Sequence, residues 1–174
     1  MKKRNLLLLG LGGAAVFAGS RVFGTRDQTV EISQEKGPFE IAKSDVQWRE
    51  QLTDTQYAVL RQEGTEQAFS SILNAEKRDG VYHCAGCDQE LYRAEHKYDS
   101  RTGWPSFWQV IDGRVAYSVD YKLLYPRTEE HCSRCGGHLG HLFDDGPEPT
   151  GQRHCINGAA LVFRPSDGSA PVFG

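Results

Sequence analysis

The pattern of apolar and polar positions divides the chain into stretches of different character. Residues 6–18 are a continuous apolar run diluted by Gly and Ala. Residues 25–42 are polar, include Gly37-Pro38, and read as a linker. A helical stretch comes next. Thr53-Asp54-Thr55-Gln56 fits a capping box, in which the Thr53 hydroxyl accepts from the Gln56 amide while Gln56 reaches back to the Thr53 amide. Tyr57, Leu60 and Arg61 follow, and Gly64 is a natural stop. A second short helix is expected over 66–74. From Gly80 the period changes. Short apolar and aromatic runs at 81–82, 91–92, 107–111, 115–119, 123–125 and 159–163 alternate with Gly, Pro and Asp. Such runs predict an antiparallel β domain with tight turns, Asp112-Gly113 among them. The Gly-, Pro- and Ser-rich end beyond Ser166 is expected to be loosely held. The boundaries are therefore 1–24 for a leader, 25–42 for a linker, 43–166 for one domain and 167–174 for a flexible tail.

Charge sharpens this division. The 174 residues carry a formal net charge of −3. Residues 1–24 hold Lys2, Lys3, Arg4 and Arg21 and no acid, so the remainder is strongly acidic. An acidic domain is a poor nucleic-acid binder, because phosphate neutralisation by Lys and Arg supplies most of that affinity. Lys2-Lys3-Arg4 before the apolar run, with Val16-Phe17-Ala18 ahead of Gly19, has the form of an export signal. The run is short for a membrane span, which needs about 20 residues. Export with cleavage and retention as an uncleaved membrane anchor both stay open. Either puts the domain in a periplasmic or other extracytoplasmic space.

Five cysteines are too few for a disulfide-stapled mini-protein, and the odd number leaves at least one thiol without a partner in the chain. Four of them sit in an internal repeat. His83-Cys84-Ala85-Gly86-Cys87 with Leu91 matches His131-Cys132-Ser133-Arg134-Cys135 with Leu139, both reading H-C-x-x-C-x-x-x-L. Two C-x-x-C knuckles supply a four-thiolate shell, the arrangement of structural zinc, so Cys84, Cys87, Cys132 and Cys135 are candidate ligands for one ion. Redox C-x-x-C pairs or two disulfides are the competing readings for an exported chain. No thioredoxin-like βαβ pattern surrounds either pair, which favours the metal. A saturated shell leaves no position for water, so the ion is expected to be structural, holding the two ends of a small sheet together.

Cys155 is the remaining thiol, in Arg153-His154-Cys155-Ile156-Asn157. If this segment is extended, Arg153, Cys155 and Asn157 share a face. A cation beside a thiol favours the nucleophilic thiolate, and Asn157 offers an amide donor. The bland alternative is a buried, inert cysteine. His138 and His141, directly after the second knuckle, are candidate acid–base or hydrogen-bonding groups. In Gly103-Trp104-Pro105-Ser106-Phe107-Trp108 three aromatics project from a stiff segment. That suits the wall of an apolar pocket, with at least one of the three packing in the core.

Several separated motifs now stand in a recognisable order: Gly64-Thr65-Glu66, Gly103-Trp104-Pro105-Ser106-Phe107, Arg127-Thr128-Glu129, the two knuckles, His138-Leu139-Gly140-His141, Asp144-Asp145-Gly146-Pro147 and Arg153-His154-Cys155-Ile156-Asn157. Over about residues 44–165 the chain resembles the peptide-methionine (R)-S-oxide reductases, MsrB. The resemblance implies a mainly β fold of two antiparallel sheets with short N-terminal helices and a structural four-cysteine zinc site. It also implies a protein-repair enzyme of the oxidative stress response. Cys155 would be the nucleophile, Trp104 the wall for the substrate S-methyl group, and His138, His141 and Asn157 the groups around the sulfoxide oxygen. Arg153 would serve substrate binding beside Cys155. Loss of methionine would leave Cys155 as a sulfenic acid, which a second thiol reduces.

Two departures from the family pattern matter. Many members place a resolving cysteine two residues before the pocket tryptophan; here that residue is Thr102. With four cysteines assigned to zinc, a one-cysteine cycle is expected, closed by thioredoxin or another external thiol. Residues 121–126 also depart from the Ser-x-x-Met pattern of many members. Oxidised proteins are the expected partners, and the chain is expected to be a monomer. The rival reading is a non-enzymatic zinc-knuckle interaction module, which the presence of Cys155 disfavours. A zinc-dependent lyase would need an open metal position that four thiolates deny.

Overall fold

The computed structural model describes residues 32–33 and 37–174. The apolar run 6–18 and most of the expected linker lie outside the described residues. No helix among those described is long and apolar enough to cross a membrane.

Two helices open the domain. Helix α1, Asp45–Gln51, starts at Ser44 and buries Trp48. Helix α2, Asp54–Gln62, starts at Thr53 with the expected reciprocal box to Gln56. Its left-handed end falls on Glu63, at φ 54°, one residue before the glycine expected to stop it. Gly64 is needed next door, where a Cβ would lie 2.9 Å from the Ala58 carbonyl oxygen. The helix expected over 66–74 does not form beyond one 3-10 turn at Ile72–Asn74. Phe69 is left-handed there, and the polar groups of Glu66 are used elsewhere in the fold.

Eleven strands are described: β1 Ile32–Ser33, β2 Gly80–Cys84, β3 Glu90–Arg93, β4 Lys97–Tyr98, β5 Ser106–Phe107, β6 Val115–Asp120, β7 Arg127–Cys132, β8 His138–Phe143, β9 Arg153–Ile156, β10 Leu161–Pro165 and β11 Val172–Phe173. They form a seven-stranded sheet in the order β1-β6-β7-β8-β9-β5-β4 and a four-stranded sheet in the order β11-β10-β2-β3. Every pairing is antiparallel except that of β1 with β6. An aromatic cluster joins the sheets. Tyr82, Tyr92 and Phe163 from the small sheet meet Phe107 of β5, with Tyr92 stacked on Phe107 at 4.4 Å.

Four segments differ from the sequence expectation. Residues 123–125 form no strand and are exposed. The run 107–111 contributes only its first residue to a strand. Phe39 and Ile41, in the expected linker, dock on the second knuckle, Phe39 edge-on to His131 and Ile41 through the Arg134 carbonyl. The tail expected to be loose ends in β11, paired with β10.

Candidate active site and metal centre

The two sequence repeats are repeats in three dimensions. In each knuckle the first cysteine's amide donates five residues ahead, Cys84 to the Gln89 carbonyl at 2.8 Å and Cys132 to the Gly137 carbonyl at 2.9 Å. In each, the residue four positions on donates back to that cysteine and is left-handed, Asp88 in one and Gly136 in the other. The four sulfurs converge within 4.8 Å of one another. Cys87 and Cys132 are 3.5 Å apart, Cys84 and Cys135 3.8 Å. A tetrahedron with metal–sulfur bonds of ~2.3 Å has edges of about 3.8 Å, so the set fits a four-coordinate ion. The sulfurs also perturb one another. Sulfur-to-sulfur hydrogen bonds push the Cys87 and Cys132 thiols down and the Cys84 and Cys135 thiols up. Four thiols this close cannot all ionise unless a cation neutralises them. The Gln89 amide adds a donor, 3.4 Å from the Cys132 sulfur. One correction follows for the role of this centre. Cys84 ends β2 of the small sheet and Cys132 ends β7 of the large one, so the cluster ties two sheets rather than two ends of one.

Cys155 lies elsewhere, on β9 between β8 and β5, directly opposite His141 and Ser106. It lines a cavity of about 120 Å³ with Thr65, Trp104, Arg127, His141, Phe143 and Asn157. Glycine permits the close approach of the strands here. A Cβ on Gly140 would sit 2.0 Å from the Cys155 carbonyl oxygen. The sequence sets a cation beside this thiol, which favours the thiolate, against the alternative of an inert, buried cysteine. The balance goes the other way. Burial pushes the Cys155 thiol up, and the pulls of Arg153 and of the Thr102 hydroxyl do not offset it. Arg153 is held by Asp145 in a two-pronged pair at 2.7 and 3.0 Å and lies over the Phe143 ring at 4.2 Å. It acts on Cys155 from the side and does not line the cavity. The Thr102 hydroxyl lies 3.9 Å from the sulfur. Behind it Ser100 bridges to Ser106, at 2.8 and 2.7 Å.

A bulge sets the two histidines. Glu130 pairs with Gly140, but His131 pairs with His138, so Leu139 is an extra residue on β8. Regular alternation would put residues three apart on opposite faces. The extra residue turns His138 and His141 to the same side, their rings edge-on at 5.4 Å. They do not share a cavity. His141 lines that of Cys155, whereas His138 lines an adjoining one of about 460 Å³. His141 Nε2 is 2.8 Å from Asp120, which also pairs with Arg127 at 2.5 Å. Burial alone would raise the Asp120 carboxyl, but the Lys122 amide, His141 and Arg127 hold it at about 2. Burial pushes the His141 imidazole down, against the pull of Asp120, which favours the neutral ring. His138 Nδ1 meets Glu129 at 2.8 Å, and its buried Nε2 has no hydrogen-bond partner among the described residues.

Glu66 is the residue whose role the sequence left unread. Its carboxylate accepts from the Gly158 and Ala159 amides at 2.6 and 2.9 Å. Its own amide donates to Asn157 Oδ1 at 3.0 Å, and its carbonyl accepts from the Trp104 indole at 3.2 Å. Asn157 Nδ2 in turn donates to the Leu139 carbonyl at 2.9 Å. One residue of the irregular segment after α2 thus sets two cavity walls. The only sequence signal was its place in the Gly64-Thr65-Glu66 motif. Behind Cys155, buried Glu130 joins Tyr92 at 2.9 Å and His154 at 2.6 Å, bracing β3, β7 and β9.

Known proteins place this geometry. Residues 52–165 match the SelR domain family model. The peptide methionine sulfoxide reductase MsrB of Hahella chejuensis is 50% identical over 131 residues, which cover 75% of this chain and 94% of that one. The MsrB of Methanosarcina mazei is 53% identical over 124 residues, covering 71% and 89%. The chloroplastic peptide methionine sulfoxide reductase B1 of Oryza sativa subsp. japonica is 45% identical over 130 residues, covering 74% of this chain and 61% of that one. The chain therefore belongs to the MsrB family of SelR-domain peptide methionine sulfoxide reductases.

Proposed function

We propose that this protein reduces methionine sulfoxide in oxidised polypeptides to methionine, acting on the R epimer with Cys155 as nucleophile. The observation that carries the reading is the cavity of about 120 Å³ that joins Cys155 to Trp104, His141 and Asn157. It has the scale of one side chain, with an aromatic wall for the methyl group and polar groups for the oxygen.

At rest Cys155 is a thiol and His141 is neutral. Ionised Asp120 accepts the His141 Nε2 proton, which leaves Nδ1 as the acceptor of that ring. As the Cys155 sulfur attacks the sulfoxide, its proton passes to Nδ1 and from there to the sulfoxide oxygen. The sulfur–oxygen bond of the substrate breaks and the oxygen ends on Cys155 as a sulfenic acid. The methionine sulfur gains two electrons and Cys155 loses two. The second N–H of Asn157 serves the same oxygen, and His138 fixes the His141 ring through their edge contact. Arg153 favours the thiolate as it forms.

Two equivalents of an external thiol then restore Cys155, releasing a disulfide and water. Thr102 supports this one-cysteine cycle, because a hydroxyl stands where a resolving thiol would reach the sulfur. The four-cysteine centre holds zinc, which ties the sheets together when bound and takes no part in the reaction. The basic and apolar N-terminus supports export, with the domain working as a monomer outside the cytoplasm.

The test is incubation with separate R and S epimers of N-acetyl-methionine sulfoxide and dithiothreitol. The R epimer is consumed and the S epimer is not. Equal turnover of both, or turnover that survives Cys155→Ser, overturns the reading. Metal analysis is expected to return one zinc per chain, and a folded, active, metal-free protein would refute that assignment.

A further inference from the structure

We propose that the loop 121–125, between β6 and β7, is a docking surface for apolar side chains that neighbour the oxidised methionine in an unfolded polypeptide. The proposal rests on the reductase reading and adds a preference to it. Tyr121, Leu123 and Tyr125 are 68%, 48% and 59% exposed, and Leu124 is fully so. Four of the nine exposed large hydrophobic side chains among the described residues fall in these five positions. Apolar patches that water would otherwise wet commonly mark a binding surface.

The loop is not loose. The Lys122 amide donates to Asp120 at 2.7 Å, and its ammonium pairs with Glu63 at 2.8 Å. Its position makes a polypeptide the fitting occupant. Asp120 and Arg127, on either side of the loop, are paired to each other, and Arg127 lines the Cys155 cavity. That cavity takes one side chain, so the residues flanking it must lie outside. Tyr121 also borders a cavity of about 460 Å³ whose other walls are mostly polar, so the apolar contact falls to the exposed faces of Tyr121, Leu123, Leu124 and Tyr125. A second exposed apolar group, Phe69, shares another cavity with Trp104, itself a wall of the Cys155 cavity. An anionic lipid surface fits less well, because the loop's one cation, Lys122, is already neutralised by Glu63. Methionine is mostly a buried residue, so a chain unfolded by its oxidation presents apolar neighbours.

The experiment compares the full chain with its Leu123→Ser/Leu124→Ser variant on three R-epimer substrates. These are N-acetyl-methionine sulfoxide and two hexapeptides whose methionine sulfoxide is flanked by Leu or by Ser. The wild type is expected to show a KM about tenfold lower for the Leu-flanked peptide, a difference of about 1.4 kcal/mol. The variant loses that advantage through KM alone, with kcat and N-acetyl-methionine sulfoxide turnover unchanged. Equal KM values in the wild type, or equal losses by the variant on all three substrates, overturn the docking surface. So does weaker binding of the variant to phosphatidylglycerol vesicles, or a wild-type dimer that the variant dissolves, when peptide kinetics stay intact. Failure of the wild type to reduce N-acetyl-methionine sulfoxide removes the reductase reading and the docking proposal with it. Turnover without flanking preference removes docking alone.

Discussion

Cysteine occupies two settings in this molecule, and the contrast shows how neighbours decide what a thiol does. Cys84, Cys87, Cys132 and Cys135 stand within 4.8 Å of one another on two matching backbone turns. Each lies close enough to the others to share one cation, which would neutralise them as thiolates. Cys155 has no other cysteine in its cavity. Its neighbours are a hydroxyl, a guanidinium already paired with a carboxylate, and an imidazole on the next strand. Burial pushes its thiol up, which favours the protonated form. The first setting gathers four sulfurs where the two sheets meet, close enough to hold one metal ion. The second leaves one sulfur apart, in the cavity proposed for reaction.

The sharpest way to separate the two is to remove one sulfur from each. Cys155→Ser is expected to lower R-epimer turnover at least about a thousandfold, as loss of a nucleophile does, with metal content and thermal unfolding unchanged. A residual rate within tenfold of wild type would end the division of roles. Cys132→Ser should do the reverse. A structural four-thiolate zinc is worth roughly 10–16 kcal/mol to folding, comparable to the whole stability of a domain at about 5–15 kcal/mol. Circular dichroism should show the variant unfolded or melting far below wild type. A fully stable Cys132→Ser protein would mean that the cluster does not tie the sheets.

Smaller changes test how the Cys155 setting is built. Glu66→Gln leaves the backbone contacts to Trp104 and Asn157 but weakens the carboxylate cap on Gly158 and Ala159. A charged hydrogen bond of that kind is worth about 1.5–3 kcal/mol, so kcat/KM should fall roughly tenfold or more while the metal stays bound. Thr102→Cys should put a second sulfur within reach of the first. Turnover without reductant would then consume two reactive thiols, where wild type consumes one. Thiol titration in denaturant, with the metal ligands counted apart, reads the difference, and loss of one thiol in both proteins would show that the 3.9 Å separation does not allow closure.

The smallest expected effect concerns charge. Burial raises the Cys155 pKa and Arg153 opposes that rise. Arg153→Met therefore shifts the midpoint of iodoacetamide alkylation at Cys155 to higher pH and slows alkylation at any pH below it. A shift toward lower pH would reverse the assigned role of the guanidinium.

Legibility in the sequence followed locality. The Thr53 capping box, the two knuckles and the isolation of Cys155 rest on residues a few positions apart, and the fold preserves them. The helix expected over 66–74 failed because Glu66 bonds to Asn157 and Gly158, some 90 residues away, in place of a local helical ladder. Residues 123–125 looked like a strand by apolarity alone, yet no strand among the described residues receives them. The edge contact between His138 and His141 could not be read from a three-residue spacing, because it depends on the bulge at Leu139.

By itself the sequence determined the chemistry available: four thiols in two equal turns, one thiol left over, two histidines near one knuckle and a stiff aromatic segment. Short-range geometry carries such features, since a C-x-x-C turn or a capping box closes on its own backbone. The tertiary structure decided which of these meet. It joined the knuckles across two sheets, gave Glu66 the task of setting Trp104 and Asn157, and set Cys155 where burial pushes its thiol up. Those outcomes depend on desolvation and on contacts between distant strands, and neither is a property of any short stretch of chain.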